Sequence, residues 1–269
     1  MAEWLQSVFL GIVQGLTEFL PISSSAHLNI MPWLFKWDNI SDSFDLALHA
    51  GTLLAILIYF YKDWLSLISG GVKLVVKREK THNGKMFWYI VAATIPAGVL
   101  GLLLEKVINN ITGDNLNVQM IIISFALIIM GIVLYVVDKK AKSEIKYENI
   151  GFKQTFITGV SQAIAAAIPG TSRSGITMTV ARGMSIERES AAKLSFLLSA
   201  PIVAAAVLLS LDKFTFSLEF VSGVVASFLS GLLVIKFLMG YLKRGSYKIF
   251  AVYRVILGVI ILITALVRI

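Results

Sequence analysis

Residues 14–27, running from Gln14 through Glu18 and Pro21 to Ser23, Ser24, Ser25 and His27, put a carboxylate, a serine run and an imidazole into one short apolar stretch. Gln14 and Glu18 are four residues apart and share one helix face, with Thr17 beside them. A carboxylate in apolar surroundings must be paired, protonated or metal-bound. Oxygen ligands of this type suit Mg²⁺ or Ca²⁺, and Mg²⁺ commonly bridges a carboxylate to phosphate groups. Glu18 and Gln14 are therefore the candidate metal ligands; the alternative for Glu18 is an ion pair with Arg173. His27 has the chemistry of a nucleophile or a general acid–base. Ser24 is the second candidate nucleophile, and Ser23 a candidate hydrogen-bond donor.

A second stretch carries the opposite charge. Residues 169–177 read Pro-Gly-Thr-Ser-Arg-Ser-Gly-Ile-Thr. Pro169 ends a helix, and Gly170 permits a tight backbone path. Thr171 or Ser172 can cap the helix that follows. Free N–H groups at such a helix start favour an anion. Arg173 adds a fork that grips phosphate oxygens in pairs, and Ser172, Ser174 and Thr177 add hydroxyl donors.

These two stretches are copies of one pattern. GIVQGLTEFLPISSSAH at 11–27 and GVSQAIAAAIPGTSRSG at 159–175 align at an offset of 148 residues, matching Gly11 with Gly159, Gln14 with Gln162, Pro21 with Pro169 and Ser24 with Ser172. The same alignment sets Glu18 against Ala166, Ser25 against Arg173 and His27 against Gly175. The scaffold residues repeat while the charged ones do not. Proline and hydroxyls inside membrane-grade sequence are costly unless they line a cavity. Duplicated broken helices of this kind point to a site built where two repeats meet.

The rest of the chain has the composition that such a site requires. Of its 269 residues 57% are hydrophobic and 15% charged, against about 45–50% and 25% in soluble domains. The expected fold class is an all-α polytopic membrane protein. Six runs have the length that crosses a bilayer, about 20 residues: near 43–61, 86–105, 117–137, 189–210, 217–240 and 247–267. Two more segments, 4–36 and 154–184, are split by the proline motifs and read as re-entrant pairs of half-helices. No basic region precedes the first apolar stretch, so no cleavable signal is expected. With no cysteines, disulfides and thiolate metal sites are excluded.

The net charge of +8 calls for no nucleic-acid partner, because its lysines and arginines gather in loops, as positive-inside topology demands. Residues 62–85 and 138–153 are both lysine-rich and should face the cytoplasm, with Arg182, Arg188, Lys193, Lys243, Arg244 and Lys248 on the same side. The loop Asn109–Asn115 has no basic residue and should lie outside. Residues 1–148 and 149–269 are then two repeats in one membrane domain, each with a re-entrant pair plus three transmembrane helices. Three crossings per half invert the second copy. Residues 64–77 read as an interfacial segment on the inner surface. Asp45 and His49, four residues apart on a span, read as an ordinary interhelical polar pair or as outer support for the site. His82, in a basic loop, reads as solvated.

Taken together, these residues resemble the undecaprenyl-diphosphate phosphatase family of bacteria, also called the bacitracin-resistance protein family, over essentially the whole chain. The family's (Glu/Gln)-x-x-x-Glu motif is met by Gln14 and Glu18. Its Ser-Ser-x-x-His element is met by Ser23, Ser24 and His27, and its Pro-Gly-x-Ser-Arg-Ser-x-x-Thr motif by Pro169 to Thr177. Gln14 stands where many relatives have Glu, which removes a charge from the metal site. The resemblance implies a phosphatase of the bacterial plasma membrane, dependent on Mg²⁺ or Ca²⁺. It would remove one phosphate from undecaprenyl diphosphate, recycle the lipid carrier of cell-wall synthesis and confer bacitracin resistance. A homo-oligomer is compatible with it. The expected site has Arg173, Ser172, Ser174, Thr177, Gly170 and Ser23 holding phosphates. Glu18, His27, Ser24 and Arg173 do the chemistry, in a cavity open to the extracytoplasmic side. Water attack assisted by Glu18 stays open beside His27 and Ser24. The rival class is a polyprenyl-phosphate flippase, which needs the same anion clamp.

Overall fold

The computed structural model describes residues 3–37, 41–112, 115–214 and 216–268. Two broken-helix motifs organise it. Helix α1 (Glu3–Phe19) and helix α2 (Ser24–Phe35) flank Pro21. In the second motif the first arm is itself interrupted, giving α7 (Phe152–Val160) and α8 (Gln162–Ala167) ahead of α9 (Arg173–Gly183). That extra break has a local cause. Ser161 Oγ donates to the Thr158 carbonyl (2.7 Å) and the Gln162 side-chain amide donates to the Gly159 carbonyl (3.2 Å). Side chains there compete with the backbone ladder.

The remaining helices are α3 (Asp42–Tyr59), α4 (Tyr61–Val76), α5 (His82–Thr112), α6 (Leu116–Lys140), α10 (Arg188–Leu208), α11 (Leu218–Leu242) and α12 (Lys248–Val267). Among the described residues the only β feature is an isolated bridge between Ile145 and Ile186. Helices α5, α6, α10, α11 and α12 are each long and apolar enough to cross a membrane, and α3 with α4 makes a sixth candidate bent by 78°. All six expected spans are helical. The α4 helix covers the segment expected to lie along the surface. Helix α5 runs past the end of the 86–105 run to Thr112, and it also starts before that run, where its first turn packs on α4. There Asn83 donates to Ser66 Oγ at 2.7 Å, and a Cβ on Gly70 would meet the Gly84 nitrogen at 2.9 Å. The loop expected outside shrinks accordingly: α5 continues through Thr112, and Gly113 and Asp114 lie outside the described residues.

Packing follows from small residues, as in membrane bundles where close backbone approach replaces a hydrophobic driving force. Helices α1 and α3 both lie against α11, while α7 and α8 lie against α5. A Cβ on Gly51 would meet the Val224 carbonyl at 2.5 Å, and Ser227 Oγ donates to the Leu48 carbonyl at 2.7 Å. Helix α6 pairs with α12, and α3 with α10. Behind the first tip, buried Phe19 meets Phe196 of α10 edge-on at 5.3 Å, and Phe196 in turn meets Phe60.

A buried ionic knot closes one end. Asp138 of α6 accepts from Arg182 Nε (2.9 Å), Arg188 Nε (2.8 Å) and the Tyr247 backbone N–H (3.2 Å). Arg182 also donates to the Ala141, Lys142 and Ile186 carbonyls. The sequence pattern placed Arg182 among the loop charges; it is instead fully buried. One carboxylate thus joins α6, α9, α10 and the start of α12.

Candidate active site at two broken helix tips

Each tip turns on a serine held at positive φ. Ser23 has φ 78° and its Oγ accepts from the Ala26 N–H (3.3 Å). Ser172 has φ 70° and its Oγ accepts from the Gly175 N–H (3.0 Å). Each also contacts the serine two residues on, Ser25 at 3.2 Å and Ser174 at 3.3 Å. Non-glycine residues in this region cost about 1–3 kcal/mol and persist only where the surroundings impose them. Of the two expected caps, Ser172 rather than Thr171 fills the role.

These shared features correct the alignment of the copies. Ser23 is the counterpart of Ser172, not Ser24. The second tip has one more residue, Gly170 at φ 90°, where a Cβ would meet the Ile123 carbonyl at 2.8 Å. Beyond the prolines the offset is therefore one residue larger. Ser24 becomes the counterpart of Arg173, each the first residue of its helix.

Both converge on Glu18. Arg173 Nη2 donates to Glu18 Oε1. Ser24 Oγ donates to Glu18 Oε2 at 2.5 Å. Gln14 Nε2 donates to the same Oε2 at 3.2 Å and to His49 Nδ1 at 3.0 Å. Glu18 and Gln14 are buried, and Arg173 and His49 partly so. The carboxylate only accepts, so the Gln14 nitrogen must face it. That leaves Gln14 Oε1 buried with no partner. His49 Nδ1 accepts from Gln14, so the ring hydrogen sits on Nε2, 4.0 Å from Asp45 Oδ2. His49 is 3.7 Å from Glu18 and belongs to the cluster, which is the outer-support reading of the Asp45–His49 pair rather than the ordinary polar pair. The signal was present in its spacing from Asp45, but nothing in the sequence tied that pair to Glu18.

Other expected site residues lie close by with different partners. His27 makes no hydrogen bond to Glu18. Its Nδ1 contacts the Ser23 carbonyl (2.7 Å), which can only accept, so Nδ1 carries the hydrogen. Its Nε2 then accepts from the Tyr253 hydroxyl at 2.7 Å. Ser174 Oγ donates to the Leu20 carbonyl of the other tip (3.1 Å). Thr177 is buried and bonds the Arg173 carbonyl (2.8 Å) and Ser195 Oγ (2.6 Å). Ser23, Ser172, Ser174 and Thr177 thus hold the tips in shape. Tyr253 and Arg254 of α12 were not picked out from the sequence. The signal was a lone arginine in the middle of an apolar run, which is a functional flag in a membrane helix.

The donor set was tested against a divalent ion. No group of three His, Asp or Glu side chains among the described residues could hold a metal, so an all-protein cage is not formed. Both Glu18 oxygens accept from Arg173, Ser24 or Gln14, which leaves Gln14 Oε1 as an uncommitted oxygen beside them; an ion there would need phosphate oxygens to complete its shell, as Mg²⁺ commonly does.

Comparison with known proteins adds an independent line. A family model described as bacitracin resistance protein BacA matches residues 7–260. The chain is 46% identical to an undecaprenyl-diphosphatase of Caldicellulosiruptor bescii over 268 residues, covering 98% of each protein. It is 45% identical to one of Desulforudis audaxviator, again over 98% of each. For one of Moorella thermoacetica the identity is 42%, over 96% of each.

Proposed function

The chain belongs to the bacitracin resistance protein BacA family, and from that premise we infer that it is an undecaprenyl-diphosphate phosphatase of the membrane. It converts undecaprenyl diphosphate to undecaprenyl phosphate and phosphate, which recycles the lipid carrier and counters bacitracin. The observation that carries the reading is the meeting of Ser24 and Arg173, one from each tip, on the single carboxylate of Glu18.

The proposed chemistry follows from that meeting. A diphosphate head offers Arg173 more negative charge than Glu18 does, so the guanidinium transfers to the phosphate oxygens and releases Glu18 Oε1. Ser24 Oγ already donates its proton towards Glu18. As Oγ attacks the terminal phosphorus, that proton passes to Glu18, the Oγ–P bond forms, and the bond to the lipid-phosphate oxygen breaks. Undecaprenyl phosphate is a stable anion and leaves without a proton. Water then attacks the seryl phosphate, its O–P bond forming as the Oγ–P bond breaks; Ser24 Oγ recovers the proton from Glu18, and both water protons leave on the departing dihydrogen phosphate. Ser24 is preferred to His27 because it already touches Glu18, whereas both nitrogens of His27 are engaged. Phosphoryl transfer of this kind depends on positioning and charge neutralisation. A divalent ion at Glu18 and Gln14 Oε1 would supply neutralisation of the phosphate oxygens.

The reading extends to the surroundings. The two halves are proposed as inverted-topology repeats, supported by the matching way in which α1 lies against α11 of the other half and α7 and α8 lie against α5. The membrane is proposed to be the bacterial plasma membrane. The lysine-rich loops support a cavity that opens on the extracytoplasmic side. The test is phosphate release from farnesyl or undecaprenyl diphosphate by purified protein in detergent. Release in Mg²⁺ or Ca²⁺ that stops with a chelator is expected. A well-folded protein that releases none with any metal would transfer the same residues to a lipid-phosphate flippase.

A further inference from the structure

Arg254 is the seventh of the twenty residues of α12 and its side chain is fully buried. Among the described residues no carboxylate lies within ion-pair distance of it. Its partners are three backbone carbonyls. Nη1 donates to Pro21 (3.3 Å), and Nη2 to Gly170 (2.9 Å) and Thr171 (2.8 Å). Pro21 belongs to the first break and the other two to the second. All three carbonyls lie in the linkers between half-helices, outside any helical ladder, and one guanidinium serves both linkers. An unpaired charge at this depth is expensive, so a plain packing role would be met better by an apolar side chain. The fork geometry is what a lysine or methionine lacks.

The adjoining residues are shaped around it. A Cβ on Gly175 would meet Arg254 Nη1 at 2.5 Å, so that glycine leaves the guanidinium its space. Gly175 also supplies the N–H that Ser172 caps. A shift of Arg254 would therefore move the start of α9, where Arg173 begins. On the same helix Tyr253 fixes the hydrogen-bonding of His27.

We infer that Arg254 is a positioning residue for the phosphatase: it locks the two tips together, and so sets Ser24 and Arg173 on Glu18, without touching substrate. This rests on the phosphatase reading of the site. The test is a double-mutant cycle of Arg254→Lys and Gly175→Ala, with steady-state phosphate release and thermal midpoint measured for wild type, both singles and the double. Misplacement of about 1 Å costs roughly 100-fold in rate, so Arg254→Lys is expected to lower kcat by about that factor with KM little changed. Gly175→Ala should also lower kcat. The double should be no worse than the worse single, since the shorter lysine vacates the space the new methyl needs. In Arg254→Ala, methylguanidinium should restore activity and methylammonium should not. Wild-type kcat in Arg254→Lys would overturn the inference, as would fully additive losses. Should Arg254→Ala fail to fold, the cycle still decides. Wild type without phosphate release would defeat the phosphatase reading alone. Coupling between Gly175 and Arg254 would then still be read in the thermal midpoints.

Discussion

Arg173→Lys keeps the charge and removes the planar fork. Its guanidinium is bonded to Glu18 in the resting site and is proposed to change partners when the diphosphate arrives. A lysine can hold one oxygen as a point charge but cannot present two parallel donors. Loss of a preorganised donor at a developing charge costs on the order of 10²–10³ in kcat. A loss of that order in phosphate release is expected from Arg173→Lys, and full activity would end its role as the clamp. At this scale much of the site was legible. Gln14, Glu18, Ser24 and Arg173 declare themselves by residue type and spacing, because each is expensive in an apolar helix. What could not be read was which groups meet. Glu18 selects Ser24 over His27, and His49 joins from α3, through contacts between segments far apart in the chain. Arg254 was readable as an anomaly in an apolar run, but its three carbonyl partners exist only once both breaks have formed.

The broken tips are elements of matched design and unequal length. Both breaks were legible from the prolines, and both helix starts from the hydroxyls. Their relative register was not, because an alignment anchored on proline cannot see where an inserted residue is absorbed. That residue is Gly170, which takes φ 90° under the Ile123 carbonyl. Gly170→Ala must accept both a disfavoured backbone and a close contact. A left-handed conformation alone costs about 1–2 kcal/mol in a residue with a Cβ. The variant should unfold at a lower temperature than wild type and lose phosphate release through displacement of Ser172 and Arg173. An unchanged midpoint would show that the tip has another path through this turn. The split of the second arm into α7 and α8 escaped the sequence for a similar reason. Ser161 and Gln162 look like ordinary polar residues until their side chains are seen taking the Thr158 and Gly159 carbonyls.

Across the whole molecule the spans were legible because about 20 apolar residues leave few alternatives in a membrane. The 78° turn between α3 and α4 was foreshadowed by the surface-like pattern of residues 64–77. The end knot was not, since Asp138, Arg182 and Arg188 resemble loop charges in a linear reading. Asp138 is the shared acceptor for both arginines. Asp138→Asn leaves Arg182 buried without its counter-charge, a change that costs about 3–5 kcal/mol when a buried pair is broken. A clearly lower thermal midpoint is expected, and a wild-type midpoint would remove the knot from the list of what holds the four helices together. The tips carry a consequence for ancestry. Ser24 and Arg173 occupy the same place in equivalent turns, yet only the first arm offers a carboxylate. Two copies of the first half, associated as a homodimer, would face two acids with no guanidinium between them. Two copies of the second would face two guanidinium groups with no acid. The acid and the guanidinium that balances it come from different arms, so neither tip alone would hold a charge-balanced pair.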